Sequence, residues 1–199
     1  MKKKILGILL AGIIAISLTG CGNNNNAKSG SSNNSNNFNN SSANDSSNKN
    51  VTFKNIKFGE TVKNEQIEFT LDDFDIAEKE LPYPGGGYSS IADVDEESYI
   101  YLLGHIKNIS NEPITVLGCK IEIIFDDKYS YNGEIWSNKS SFGRSAIDKF
   151  EIFSSVPDDV IKNYKTVEFR IAYYNDINKS ILENDFSLYE NRYSIILNK

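Results

Sequence analysis

Leu117-Gly118-Cys119-Lys120-Ile121-Glu122-Ile123-Ile124-Phe125 is the stretch that decides the fold. Leu117, Cys119, Ile121, Ile123 and Phe125 form an unbroken apolar stripe, with Lys120 and Glu122 between them. A period of two belongs to a strand, whose successive side chains point to opposite faces, one on a core and one toward water. The same period returns in both directions along the chain. Ile67, Phe69 and Leu71 alternate with Glu68 and Thr70, Phe150 and Ile152 make a shorter stripe, and Val167, Phe169, Ile171 and Tyr173 make another. Tyr99 to Ile106 is apolar on both faces, as expected of a central strand. Tyr193 to Leu197 is placed to close a sheet at the C-terminus.

Turn chemistry separates these runs. Asn108-Ile109-Ser110-Asn111-Glu112-Pro113, Asp126-Asp127 and Asn175-Asp176 each end a strand, and Asn132-Gly133 predicts a hairpin. Only Pro157 to Tyr164 reads as helix, with Ser155 as its cap and Asp158 and Asp159 in the first turn. Many short strands with regular turns predict an all-β antiparallel sandwich with at most one short helix, rather than an α/β fold. Residues 51–199, roughly 150 of them, suit one domain around one core.

The chain ahead of Val51 has a different composition. From Gly22 to Asn50 it is largely Asn and Ser, with Phe38 the one aromatic. Such a tract lacks the apolar residues that offset the entropy of ordering, so a disordered tether is expected. Its root-mean-square span would be near 30 Å at roughly 5–6 Å × √n. Fully stretched it would reach about 95 Å.

The first twenty residues carry a targeting signal. Lys2 to Lys4 precede an apolar run from Ile5 to Ile16, and Leu18-Thr19-Gly20-Cys21 closes it. The run is shorter than the roughly 20 residues that span a bilayer, and Gly7 and Gly12 interrupt it. A basic start, a short apolar centre and small residues at the end describe a secretory signal peptide. The Leu-Thr-Gly-Cys sequence resembles the lipobox of bacterial lipoproteins. The resemblance implies a diacylglyceryl thioether on Cys21, with palmitate-like chains, and cleavage between Gly20 and Cys21. Two acyl chains anchor stably where one anchors marginally. The expected division is therefore 1–20 signal peptide, 21–50 lipidated cysteine and tether, and 51–199 folded domain. The expected place is the extracytoplasmic face of the membrane, at a Gram-positive cell surface. With Cys21 lipidated, Cys119 is left without a partner and reads as a small buried hydrophobe.

A second resemblance covers most of the region from Val51 to Tyr174. Phe58-Gly59-Glu60-Thr61-Val62 leads into Ile67-Glu68-Phe69-Thr70-Leu71, and Leu103-Gly104-His105-Ile106-Lys107-Asn108-Ile109-Ser110-Asn111 follows later. Val156-Pro157-Asp158-Asp159 precedes a further strand. This order is similar to the immunoglobulin-like extracellular domains of unknown function found in Gram-positive lipoproteins. The resemblance implies an immunoglobulin-like sandwich and brings no catalytic residues with it.

Charge narrows the partners. Residues 51–199 hold 16 of the 21 basic and 26 of the 27 acidic residues, a formal charge of −10. That balance speaks against nucleic acid and anionic lipid headgroups as ligands, and suits cations or a basic partner. His105, the one histidine, shares a strand face with Tyr99, Tyr101 and Leu103 and reads as a hydrogen-bonded structural residue. The carboxylate groups Asp72, Asp73 and Asp75, and Asp126 and Asp127, read as solvated acidic loops. Asp93, Asp95 and Glu96 are the candidate calcium ligands, although they lack the spacing of an EF-hand loop. No catalytic residue and no cofactor is assigned.

Leu81-Pro82-Tyr83-Pro84-Gly85-Gly86-Gly87-Tyr88 is the most unusual local segment. No Lys-Ser/Thr follows its glycines, so it is not a phosphate-binding loop. Tyrosines on a loop at the end of a sandwich suit protein contact, as in antibody loops. Tyr83, Tyr88 and Trp136, the one tryptophan, are the candidate partner contacts. The expected function is that of a non-enzymatic binding module of the cell envelope, lipid-anchored, with a protein or cell-wall partner. The alternatives are a cell-wall hydrolase working through Asp and Glu carboxylates, and a structural or antigenic surface protein without a specific ligand.

Overall fold

A computed structural model describes residues 51–78, 80–90 and 96–199. The signal peptide, Gly20, Cys21 and the Asn/Ser tract lie outside the described residues, as do Asp93 and Asp95. In chain order the strands are β1 (Lys54–Asn55), β2 (Thr61–Lys63), β3 (Ile67–Ala77), β4 (Glu80–Pro82), β5 (Tyr88–Ser90), β6 (Glu97–Asn108), β7 (Cys119–Phe125), β8 (Tyr129–Asn132), β9 (Glu134–Ser137), β10 (Ile147–Pro157), β11 (Thr166–Tyr173) and β12 (Asn191–Asn198). One short helix, α1 (Asp158–Asn163), joins β10 to β11, and a 3-10 turn, Phe186–Leu188, precedes β12.

Two five-stranded sheets hold the core between them. One runs β2-β3-β6-β10-β9 and the other β1-β12-β11-β7-β8. Taking β3, β6, β10 and β9 as strands A, B, E and D, and β12, β11, β7 and β8 as G, F, C and C′, gives the immunoglobulin order. The pairs within these two groups are antiparallel, whereas β1 runs parallel to β12. The fold is an immunoglobulin-like β-sandwich.

The stripes read from the sequence are the inner faces. Ile121, Ile123 and Phe125 of β7, Val167, Phe169, Ile171 and Tyr173 of β11, and Ile67, Phe69 and Leu71 of β3 are buried together. Cys119 is buried at the start of β7, and burial pushes its thiol up to about 12. β6 is covered on both sides, with Ile100, Leu102 and Ile106 in the main core and Tyr99 and Tyr101 in a second cluster. The Asn108 turn closes on itself: Asn108 Nδ2 donates to the carbonyls of Glu112 and Phe142, and its Oδ1 accepts from Ser110 N–H. Asp126 and Asp127 both have positive φ, and Lys128 N–H donates to the Phe125 carbonyl, making a tight hairpin between β7 and β8.

Three expectations are corrected. Asn132-Gly133 is not a hairpin, because β8 belongs to one sheet and β9 to the other; the chain changes sheets there. Gly133 passes so close to Ile121 that a Cβ would collide with its side chain, and its N–H donates to the Ile121 carbonyl. Ser155 does not cap α1. It lies inside β10 and its hydroxyl bonds to Glu97, while Pro157 holds the cap position without a side-chain bond. Asp72, Asp73 and Asp75 are not on a loop but on β3.

Candidate functional site

β3 does not keep one parity along its length. Its register against β6 shifts between Leu71 and Asp73, which is a β-bulge. Before the bulge, Ile67, Phe69 and Leu71 face the core; after it, Phe74 and Ile76 do. The extra residue puts both Asp72 and Asp73 on the outer face, and Asp75 follows by alternation. His105 meets them from β6, its Nδ1 lying 2.8 Å from Asp72 Oδ2.

The β4–β5 hairpin folds over this outer face. Its turn is closed by Tyr83 N–H to the Gly87 carbonyl and Gly86 N–H to the Tyr83 carbonyl. Gly86 and Gly87 have φ of 98° and 90°, a region that side chains with a Cβ rarely adopt. Leu81 reaches down from the hairpin into a small core with Tyr99, Tyr101 and Phe153, flanked by Leu103 and Trp136. Trp136, on the edge strand β9, meets Phe153 edge-on at 4.3 Å between centroids and Tyr83 at 6.4 Å. Tyr88 pairs with Pro82 on the same hairpin and is 73% exposed; Tyr83 is 40% exposed. Two of the three expected contact residues, Tyr83 and Trp136, therefore touch, and Tyr88 is exposed on the other arm of the hairpin.

Between hairpin and sheet lies a cleft of about 390 Å³. Pro82, Tyr83 and Pro84 form its roof, and Asp72, Asp73, Leu103 and Lys149 form much of its floor. Its volume is at the small end of ligand pockets. A smaller hollow of about 130 Å³ lies between the β7–β8 turn and α1 and has room for only a few waters.

Beside the cleft lies a residue that sequence reasoning passed over. Glu151 stands between Leu103 of β6 and Trp136 of β9 in the register and shares the outer face with Lys149. It is wholly buried, and neither carboxyl oxygen has a hydrogen-bond partner. Burial pushes its carboxyl up to about 7. Tyr101, on the same face, is raised by burial and then by the charges of Asp75, Glu151 and Asp73. In the register Asp75 and Phe153 flank Tyr101, while Asp73 and Glu151 flank Leu103, two residues along β6. The signal was present in Phe150-Glu151-Ile152-Phe153, where a Glu interrupts a run that is otherwise apolar on both faces.

The opposite sheet treats its acids differently. Glu122 and Glu168 flank Arg170, at 3.5 and 2.8 Å, and the guanidinium lies over Phe53. Among the described residues no Lys or Arg forms an ion pair with Asp73, Asp75 or Glu151.

Of the candidate calcium ligands, Glu96 alone is described. It has a φ of 68°, and its carbonyl accepts from Asp158 N–H. No group of three His, Cys, Asp or Glu among the described residues is placed to hold a metal ion.

No family model and no curated protein matches the chain. Among solved structures, it is similar to an uncharacterized β-sandwich protein of Clostridium difficile. The two share 15% identity, with a TM-score of 0.56 over 77% of this chain and 100% of the other. That likeness concerns the fold.

Proposed function

We propose that this protein is a lipid-anchored binding module of the cell envelope, held to the extracytoplasmic face of the membrane through Cys21. Its contact surface is the β4–β5 hairpin, the adjoining edge of β9 and the cleft beneath. The observation that carries the reading is the packing of Tyr83 on Trp136 with Tyr88 exposed on the same hairpin. Aromatic side chains with an apolar body and a polar tip, clustered at one place on a rigid scaffold, are the usual anchors of a protein contact. Glycine-rich turns that present such side chains suit recognition rather than structure. The lipobox-like Leu18-Thr19-Gly20-Cys21 supports the location.

The test is site-specific photocross-linking from the full chain in intact cells. A cross-linking residue at position 83 or 88 should give one discrete adduct. The same residue at position 196, exposed on the other sheet, should give none. Adducts of equal yield from all three positions, or from none, remove the proposed surface.

A further inference from the structure

Glu151 is closed in by one element. Its neighbours on the outer face are Leu103 and Trp136 across the strands and Lys149 and Phe153 along β10. Each of the four meets the β4–β5 hairpin. Leu103 and Lys149 line the cleft under Pro82, Tyr83 and Pro84, the Trp136 ring lies near Tyr83, and Phe153 shares a buried cluster with Leu81. Glu151 itself is wholly buried and does not line the cleft.

The hairpin is lightly held. β4 and β5 pair with each other and with neither of the five-stranded sheets. A two-stranded hairpin is marginal by itself, so its seat depends on the burial of Leu81 and the contact of Tyr83 with Trp136. An element fastened by few contacts opens well before the whole domain does.

Nothing beneath the hairpin compensates a charge on Glu151. The titratable groups around it are Lys149 on β10, Tyr101 and His105 on β6 and Glu134 on β9. Glu80, Tyr83 and Tyr88 belong to the hairpin, and Asp73 and Asp75 lie beyond β6 on β3. None of these bonds to either carboxyl oxygen, and His105 is engaged with Asp72. A carboxylate in a dry, unpartnered place is costly, and the cost is relieved by protonation or by water. Water reaches Glu151 with least disruption when the hairpin lifts, since both sheets can stay paired.

We propose that the β4–β5 hairpin is a lid on Glu151, seated while the carboxyl is protonated and lifted when it ionises. A seated lid holds Tyr83 on Trp136 and roofs the cleft; a lifted one separates them. The surface proposed above is thus assembled on the acid side of neutrality and loosened on the alkaline side. Burial holds the covered carboxyl at about 7 against 4.5 for an ordinary one. Ionisation should therefore favour the lifted state by up to about 300-fold, tenfold for each pH unit between those values.

Trp136 supplies the readout, as the chain's one tryptophan and the cross-strand neighbour of Glu151. Acrylamide quenching of its emission is measured on the full chain in detergent from pH 5 to pH 8, with circular dichroism followed alongside. Acrylamide is uncharged, so its access reports the lid and not the charge of Glu151. Quenching should rise with pH while the sheet signal stays constant, and Glu151→Gln should remain at the low value throughout. Leu81→Ala keeps the carboxyl but removes the buried foot of the lid. It should be quenched more than the wild type at pH 5, and its rise should begin at lower pH. Wild-type quenching that is flat with pH, a rise that persists in Glu151→Gln, or a rise matched by loss of the sheet signal overturns the lid. Leu81→Ala behaving as the wild type does so too, and that variant decides the matter if Glu151→Gln does not fold. The inference rests on the proposed surface, yet quenching needs no partner. Absence of cross-links from positions 83 and 88 with the quenching response intact removes the envelope partner and leaves the lid. The converse result removes the lid and leaves the surface.

Discussion

Phe150 lies flat against Phe69, with centroids 5.1 Å apart and planes 9° from parallel. The stack joins β10 to β3 across the strand between them, and it is possible because Gly104 of β6 offers no side chain there. A Cβ on Gly104 would strike the Phe150 ring and the Thr70 carbonyl. Gly104→Ala should therefore destabilise the domain by about 3 kcal/mol, at the upper end for overpacking of a close-packed interior. Urea unfolding measures it. Phe150→Leu in the Gly104→Ala background should recover part of the loss, because it withdraws the ring but not the Thr70 carbonyl. Strict additivity of the two changes would show that ring and Cβ do not compete.

Trp136 makes a second aromatic joint, between the edge of the sheet and the hairpin. Trp136→Ala should cost about 2–3 kcal/mol, less than a fully buried tryptophan because its outer edge is wet. The loss should be uneven. Amide exchange should accelerate most in Glu80–Pro82 and Tyr88–Ser90, which the joint fastens, and least in β7 and β11. A uniform acceleration would mean that the hairpin is not fastened through Trp136.

The same contrast between faces explains how much of the molecule was legible in its sequence. Leu117 to Phe125 and Val167 to Tyr173 announced their strands because one apolar face gives a period of two. β3 announced only its first half: the bulge at Asp72 changes parity, and a parity change erases the period on which the reading depends. Asn132-Gly133 has the chemistry of a hairpin, but whether the chain turns back or changes sheets depends on Ile121, eleven residues upstream in another strand. The contact residues Tyr83 and Trp136 were visible as residue types, whereas their meeting is a property of the fold. Glu151 was hidden because one acid in a strand reads as a solvent-facing residue until a hairpin is known to cover it.

Removal of the anchor separates location from folding. Cys21→Ala eliminates the thiol that the lipobox resemblance assigns to acylation, so the protein should move from the membrane fraction to the medium and lose incorporated palmitate. Unfolding of the released domain should be unchanged, because the core consists of residues from Ile56 onward. Palmitate incorporation that persists in Cys21→Ala would overturn the anchor.

Glu151 also makes the stability of the unliganded domain depend on pH in an unusual sense. Its folded carboxyl is raised from 4.5 to about 7, so the folded state holds a proton that the unfolded chain releases. For a raised carboxyl the stabilising difference is present below the unfolded value and is lost as pH rises through the folded one. Stability should fall between about pH 4.5 and pH 7 by at most about 3 kcal/mol, and level off above. Asp126, Asp158 and Asp185 act oppositely and in another window. Backbone N–H donors on Asp126 and Asp185, and the Ser98 hydroxyl on Asp158, lower their carboxyls, so their contribution is lost only as pH drops below about 4. The two windows barely overlap, which makes the experiment clean. Urea unfolding midpoints at pH 5 and pH 8 should differ in the wild type, with the lower stability at pH 8. Glu151→Gln, which cannot ionise, should equalise them and be the more stable protein at pH 8. A wild type as stable at pH 8 as at pH 5 would place a donor on Glu151 that keeps its charge, and would contradict the dry, unpartnered carboxyl found beneath the hairpin.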